Sequence, residues 1–158
     1  MNEKNNQADK KPSVRNCTEE LLGELFKNVS MGKESLLNVM PKVKNDDLRA
    51  ELTEQLDRYS DFCRQIKDML SECGEQAKGQ NIFVKMTSKI GIEMNTLTDP
   101  TDEHIAQMVI EGTTMGITDT IRAVRDYENS SCSEEALAIA RKIVSFQEKS
   151  VESVKKFL

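Results

Sequence analysis

Apolar side chains recur at alternating steps of three and four residues in four separate stretches of this sequence. This spacing places them on one face of an α-helix, whereas a half-buried strand would alternate at every second residue. The first stretch predicts a helix over about 18–42, with an apolar seam formed by Leu22, Leu25, Val29, Gly32, Leu36, Val39 and Val43. Because each helix must bury its seam against the others, the sequence predicts an all-α protein.

Three further long helices are predicted over about 46–73, 100–127 and 133–157. A shorter helix is predicted over about 81–95, where Ile82, Phe83, Met86, Ile90 and Met94 share one face. Cap residues agree with these limits: Asn16 or Thr18 before the first long helix, the segment Asn45–Asp47 before the second, and Ser131, with Glu134 at capping-box spacing, before the last. Residues 17–158 are therefore expected to form one helical bundle domain behind a flexible polar tail, residues 1–16.

The charge balance narrows the classes of partner. The 158-residue chain has a formal net charge of −5, so its overall field repels phosphate backbones, and we expect no nucleic-acid partner. No window approaches the roughly 18 consecutive apolar residues that cross a bilayer, so we expect no membrane partner and a cytoplasmic location. In that compartment the cysteines are expected to be reduced.

The connection between the second and third long helices is long and carries a predicted helix of its own. A simple up-down bundle needs only a few residues there, whereas a crossover of this length would make the two helices run parallel. With the paired long helices and the segments Met108–Gly112 and Phe146–Ser150, this pattern resembles the ferritin-like superfamily, specifically its small bacterial members of undefined function. The resemblance implies an antiparallel four-helix bundle with a helical crossover between helices two and three.

The resemblance also raises the question of a di-iron site. That chemistry requires a Glu from each of two helices and a Glu-x-x-His from each of the other two. The chain has one histidine, His104, with Thr101 three residues before it. The carboxylates of Glu34, Glu54 and Glu111 are metal-ligand candidates, but all three lie off the apolar seams. We therefore expect no di-iron cofactor, and we expect His104 to be exposed near a helix start.

Four polar residues lie on the seams of the last two long helices: Thr113, Thr120, Gln147 and Ser150. They suggest a buried polar pocket that would hold water or a small ligand. Alternatively, the hydroxyl groups bond to carbonyls of their own helices and Gln147 finds one partner, which is the interpretation we favour.

The cysteines follow no metal-binding spacing. In the ferritin-like order, Cys17, Cys73 and Cys132 would lie at one end of the bundle, where they would form a soft-metal or redox cluster. The alternative, which we favour, is that they are unrelated reduced thiols.

The sequence offers no catalytic constellation, so we expect a structural or protein-interaction module that self-associates rather than an enzyme. The alternative is a divergent metal-binding or redox protein that uses thiols or an unconventional carboxylate set. A third possibility is a binder of a small ligand in the pocket around Gln147.

Overall fold

The chain is described by a computed structural model over residues 14–73 and 98–158. Its four α-helices are α1 (Val14–Val39), α2 (Asp46–Glu72), α3 (Asp102–Glu128) and α4 (Glu134–Val154). Short 3-10 helices, Met40–Lys42 and Lys155–Phe157, extend α1 and α4. Every regular element in these two ranges is helical, which confirms the all-α class. The predicted helix over 81–95 and residues 1–13 of the predicted tail lie outside the described residues.

Two predicted helix starts need correction. Helix α1 is already helical at Val14, and Thr18 is not its cap, because the Thr18 hydroxyl accepts a hydrogen bond from the backbone N–H of Ser133 at 2.9 Å. Helix α4 is capped by Ser133 rather than by Ser131, and the Ser133 side chain accepts from the N–H of Ala136 at 3.2 Å. The turn that precedes α4 continues through Cys132, so the first helical residue is Glu134 and the cap must be the residue just before it.

The starts of α2 and α3 follow ordinary capping chemistry. Within the segment 45–47, which was predicted to cap α2, the cap is Asn45, whose side chain accepts from the N–H of Leu48 at 2.9 Å. Thr101 caps α3 by accepting from the N–H of His104 at 3.1 Å. Acidic residues occupy the first turns of both helices, where their negative charges interact favourably with the positive end of the helix dipole.

The apolar seams meet in one continuous core. Its largest fully buried aliphatic side chains come from all four helices: Leu21, Leu22, Leu25, Val29, Val39, Leu48, Leu52, Ile66, Ile105 and Ile143. Aromatic packing joins α2 to α4, since the rings of Tyr59 and Phe146 meet edge to face with centroids 4.9 Å apart. No helix in the described part of the chain combines the length and the apolar character that crossing a membrane requires.

Contacts between helices follow a regular order along the bundle. The amide of Asn28 on α1 donates to the carbonyl of Gly116 on α3, and the backbone N–H of Lys44, beyond the end of α1, donates to the carboxylate of Asp102 at the start of α3. The segment that follows α1 therefore lies beside the start of α3. Gly32 of α1 lies against the ring of Tyr59 on α2.

A disulfide joins Cys17, near the start of α1, to Cys132 in the turn before α4, with the two Cα atoms 5.3 Å apart. The prediction of unrelated reduced thiols is therefore wrong for this pair. Contacts between α1 and the turn bring the two backbones within the range that a disulfide needs, although the residues are 115 positions apart in sequence. The thiol of Cys63 is buried, and that burial raises its pKa.

We predict opposite effects for alanine at two glycines. A Cβ atom at Gly32 would lie 2.6 Å from Cζ of the buried Tyr59 ring, so Gly32→Ala should lower the free energy of unfolding by about 1–3 kcal/mol. At Gly112, no atom of the described residues beyond its own helix backbone lies within 4 Å of the same position, so Gly112→Ala should raise stability by up to about 1 kcal/mol through helix propensity. Urea unfolding of both variants measures the difference, and equal stabilities would contradict the packing argument.

Candidate functional site

A hydrogen-bonded layer of polar side chains crosses the core and receives at least one member from each helix. We call it the polar layer; it consists of Asn28, Tyr59, Thr113, Thr120 and Gln147. The amide nitrogen of Gln147 donates to Oδ1 of Asn28 at 2.8 Å and lies 3.3 Å from the hydroxyl of Tyr59. Nδ2 of Asn28 donates to the carbonyl of Gly116 at 2.7 Å and to the hydroxyl of Thr120 at 3.0 Å. The layer thus links all four helices.

The polar layer is neutral at physiological pH. Burial raises the pKa of the Tyr59 phenol, while its hydrogen bonds with Gln147 and Thr113 act in the opposite direction. The other members carry amides or aliphatic hydroxyls, which do not titrate in this range. The chemistry available at the centre is therefore hydrogen bonding rather than acid–base catalysis.

Gly116 gives the two amides room to meet. A Cβ atom at this position would lie 2.8 Å from Nε2 of Gln147 and 3.1 Å from Oδ1 of Asn28. The groups that approach this glycine therefore belong to the polar layer. At Gly112, no described neighbour lies within 4 Å of the equivalent position.

The four residues of the predicted pocket are only partly brought together. Thr113, Thr120 and Gln147 belong to the polar layer, and each is less than one-tenth exposed. The hydroxyl of Ser150 instead donates to the carbonyl of Phe146 in its own helix at 2.9 Å. Oε1 of Gln147 is buried and has no hydrogen-bond partner among the described residues.

Sequence reasoning missed two polar residues: Asn28 of the polar layer, and Gln55, a buried residue of α2 outside that layer. Asn28 was overlooked because it lies beside the α1 seam, one residue before Val29. Gln55, which is 3% exposed, occupies a position between Leu52 and Tyr59 at helical spacing, so the seam itself contained a signal for its burial. Its amide donates to the carboxylate of Glu51 at 2.8 Å.

The polar layer reaches the surface through a cleft between α1 and α3. The cleft has a volume of about 370 Å³, and Asn28 and Thr120 form part of its wall. Charged side chains of both signs surround it: Glu24, Lys27, Asp119, Arg122 and Asp126. The carboxylate of Glu24 also accepts a hydrogen bond from Tyr127 at 3.1 Å, and burial followed by this carboxylate raises the pKa of Tyr127 to about 12.

The residues of this chain do not fit the di-iron ligand set. Glu34, Glu54 and Glu111 are all exposed, as the seam pattern predicted, and the Glu111 carboxylate accepts from Gln107 at the surface. His104 is also exposed. At the centre, where the superfamily places its ligands, the donors are neutral amides and hydroxyls, which are weak ligands for iron. Within the described ranges, no group of three or more His, Cys, Asp or Glu side chains is arranged to hold a metal ion.

We predict that a carboxylate in the polar layer destabilises the bundle. Gln147→Glu places an acid at a position that is 1% exposed, where burial disfavours its charged form. The free energy of unfolding should fall by about 3 kcal/mol at pH 7. Because burial raises the carboxyl pKa in the folded state, this deficit should shrink as the pH falls toward about 4, the unfolded value.

The matched control is Glu148→Gln, which removes one charge from the exposed neighbouring position of α4. Denaturant unfolding across this pH range compares the two variants. A Gln147→Glu protein that matches the wild type at pH 7 would show that the centre accommodates charge.

Comparison of the chain with protein-family models, with curated proteins and with solved structures finds no match. The geometry of the polar layer and the pattern of contacts are therefore the basis for the function proposed below.

Proposed function

We propose that the chain is a non-catalytic, ferritin-like helical bundle that self-associates and serves as a structural or protein-interaction module. The observation that carries this proposal is the polar layer, in which neutral side chains from four helices bond to one another at the centre. These groups hold helices together, and none of them is a carboxylate, an imidazole or a thiol.

The order of the helix contacts supports a ferritin-like topology. Asn28 of α1 precedes Lys44 of the segment that follows α1, whereas their partners on α3 come in the reverse order, Gly116 after Asp102. Opposite directions for α1 and α3 account for this reversal. The contacts between α1 and α2 reverse in the same way: Ser30 lies beside Cys63, and Gly32, further along α1, lies beside Tyr59.

If α2 and α3 both oppose α1, they share a direction. The connection between them then starts at the end of the bundle where α1 begins and finishes at the end where α1 ends. A connection that runs the length of the bundle between two parallel helices is the ferritin-like crossover. The 24 residues from 74 to 97 are enough chain to span that length.

Exposed apolar side chains provide surface for self-association. The exposed large apolar side chains in the described part of the chain are Met31, Leu37, Met115, Ile121 and Leu158. Methionine adapts to irregular contacts, and Met115 of α3 is 68% exposed. Association between copies that removes such side chains from water is favourable.

Sedimentation of the purified chain tests self-association, and the expected result is a mass that is a multiple of the 17.9 kDa protomer. Met115→Lys and Ile121→Lys each remove exposed apolar surface, from two different sides of α3. If one of these sides forms the interface between copies, the substitution on that side should shift the mass toward that of the monomer. Gln107→Lys adds the same charge to an exposed polar position of that helix and should leave the mass unchanged. A wild-type monomer at every concentration tested would overturn this part of the proposal.

The second candidate is a divergent metal-binding or redox protein that uses thiols. Of these two activities, the Cys17–Cys132 disulfide favours redox chemistry over metal binding, because soft metals bind thiolates and not the sulfurs of a disulfide.

Elemental analysis of protein purified from iron- and zinc-supplemented culture separates the two candidates. A non-catalytic bundle should contain iron and zinc far below one ion per chain. A stoichiometric metal that is lost in Cys73→Ser or Cys132→Ser would establish the thiol site instead, and stoichiometric iron retained in both variants would point to carboxylate ligands. Either result would reject the first proposal.

A further inference from the structure

The Cys17–Cys132 disulfide lies where three helices come together at one end of the bundle. Cys17 belongs to the early part of α1, and Cys132 belongs to the turn that joins α3 to α4. Next to it, the hydroxyl of Thr18 accepts from the N–H of Ser133, which is itself the cap of α4. The disulfide and this hydrogen bond therefore both join α1 to the residues that begin α4.

We propose that this disulfide is a redox-controlled clamp. In the oxidised state it ties the start of α1 to the α3–α4 turn, and in the reduced state that end of the bundle opens more readily. The reaction partner is a low-molecular-weight thiol and its disulfide. The inference concerns control of the fold and does not rest on the scaffold proposal, so a chain that fails to self-associate leaves it intact.

Reduction proceeds by two thiol–disulfide exchanges. In the first, the thiolate of one small thiol attacks Sγ of Cys132, the Cys17–Cys132 bond breaks, and Cys17 leaves as a thiolate that takes up a proton. In the second, another small thiolate attacks the mixed disulfide and releases Cys132. Two small thiols are consumed, and two cysteine thiols and one small disulfide are formed; oxidation is the reverse.

Accessibility decides which sulfur is attacked. Cys17 is 1% exposed and packs in the core, whereas Cys132 is half-buried in the turn, so the incoming thiolate reaches Cys132 first. Cys63 is 8% exposed and lies on α2, where Ser30 is its neighbour at 3.7 Å. Its buried thiol takes no part in the exchange, which makes Cys63 the internal control.

The two ends of the bundle should respond differently to reduction. At the clamp end, the Thr18–Ser133 hydrogen bond that remains after reduction is a contact between neutral groups. At the opposite end, the carboxylate of Asp102 accepts from the backbone N–H groups of Lys44 and Asn45, at 2.8 and 3.1 Å, and no thiol is involved. Reduction should therefore raise amide exchange around residues 17–22 and 130–137 and leave residues 44–48 unchanged.

The test equilibrates the full chain in glutathione buffers from fully oxidised to fully reduced. After rapid alkylation under denaturing conditions, mass spectrometry should find two alkylated cysteines per chain in the oxidised protein and four in the reduced protein. Closing a loop of this length should separate the two melting temperatures by about 10 °C or more. The double variant Cys17→Ser/Cys132→Ser should melt near the reduced wild type in every buffer, whereas Cys63→Ser should keep the full redox response.

Two results would overturn the proposal. The first is four alkylated cysteines in protein equilibrated with oxidised glutathione, because the pair would then not form. The second is a disulfide that forms without changing the melting temperature or the amide exchange of the clamp end. If the double variant fails to fold, the oxidised and reduced wild type still provide the comparison.

Discussion

The hydrogen bond between the amides of Gln147 and Asn28 is the contact around which the helices are arranged. A buried amide that loses its partner costs about 1–3 kcal/mol, so this pair favours one relative position of α1 and α4 over positions displaced along the bundle axis. The absence of a side chain at Gly116 follows from the same requirement, because a Cβ atom there would meet both amides. Apolar packing supplies most of the driving force for folding but tolerates many registers, whereas directional bonds distinguish among them.

Much of the fold could be predicted from the sequence because the relevant signals are local. The spacing of Leu48, Leu52 and Ile66 is visible within α2 alone, and so is the capping role of Asn45. The errors arose where a tertiary contact competes with a local one. Thr18 has the side chain of a helix cap, but its hydroxyl accepts from Ser133, more than a hundred residues away.

The candidate site was only partly predictable for a related reason. Thr113, Thr120 and Gln147 stand out as polar residues on apolar seams, and the structure places them in one layer. The partnership of Asn28 with Gln147 depends on how α1 and α4 face each other, which periodicity within one helix does not report. The Cys17–Cys132 disulfide was missed because sequence spacing carries no information about distance across a bundle.

The disulfide has a further effect on the covalent structure of the chain. It closes residues 17–132 into a ring that contains α1, α2 and α3, while α4 lies outside that ring. A single peptide-bond cleavage anywhere within the ring would leave both fragments covalently attached to each other. Oxidised protein cut once between α2 and α3 would therefore keep its helices on one molecule, and the fragments would separate only after reduction.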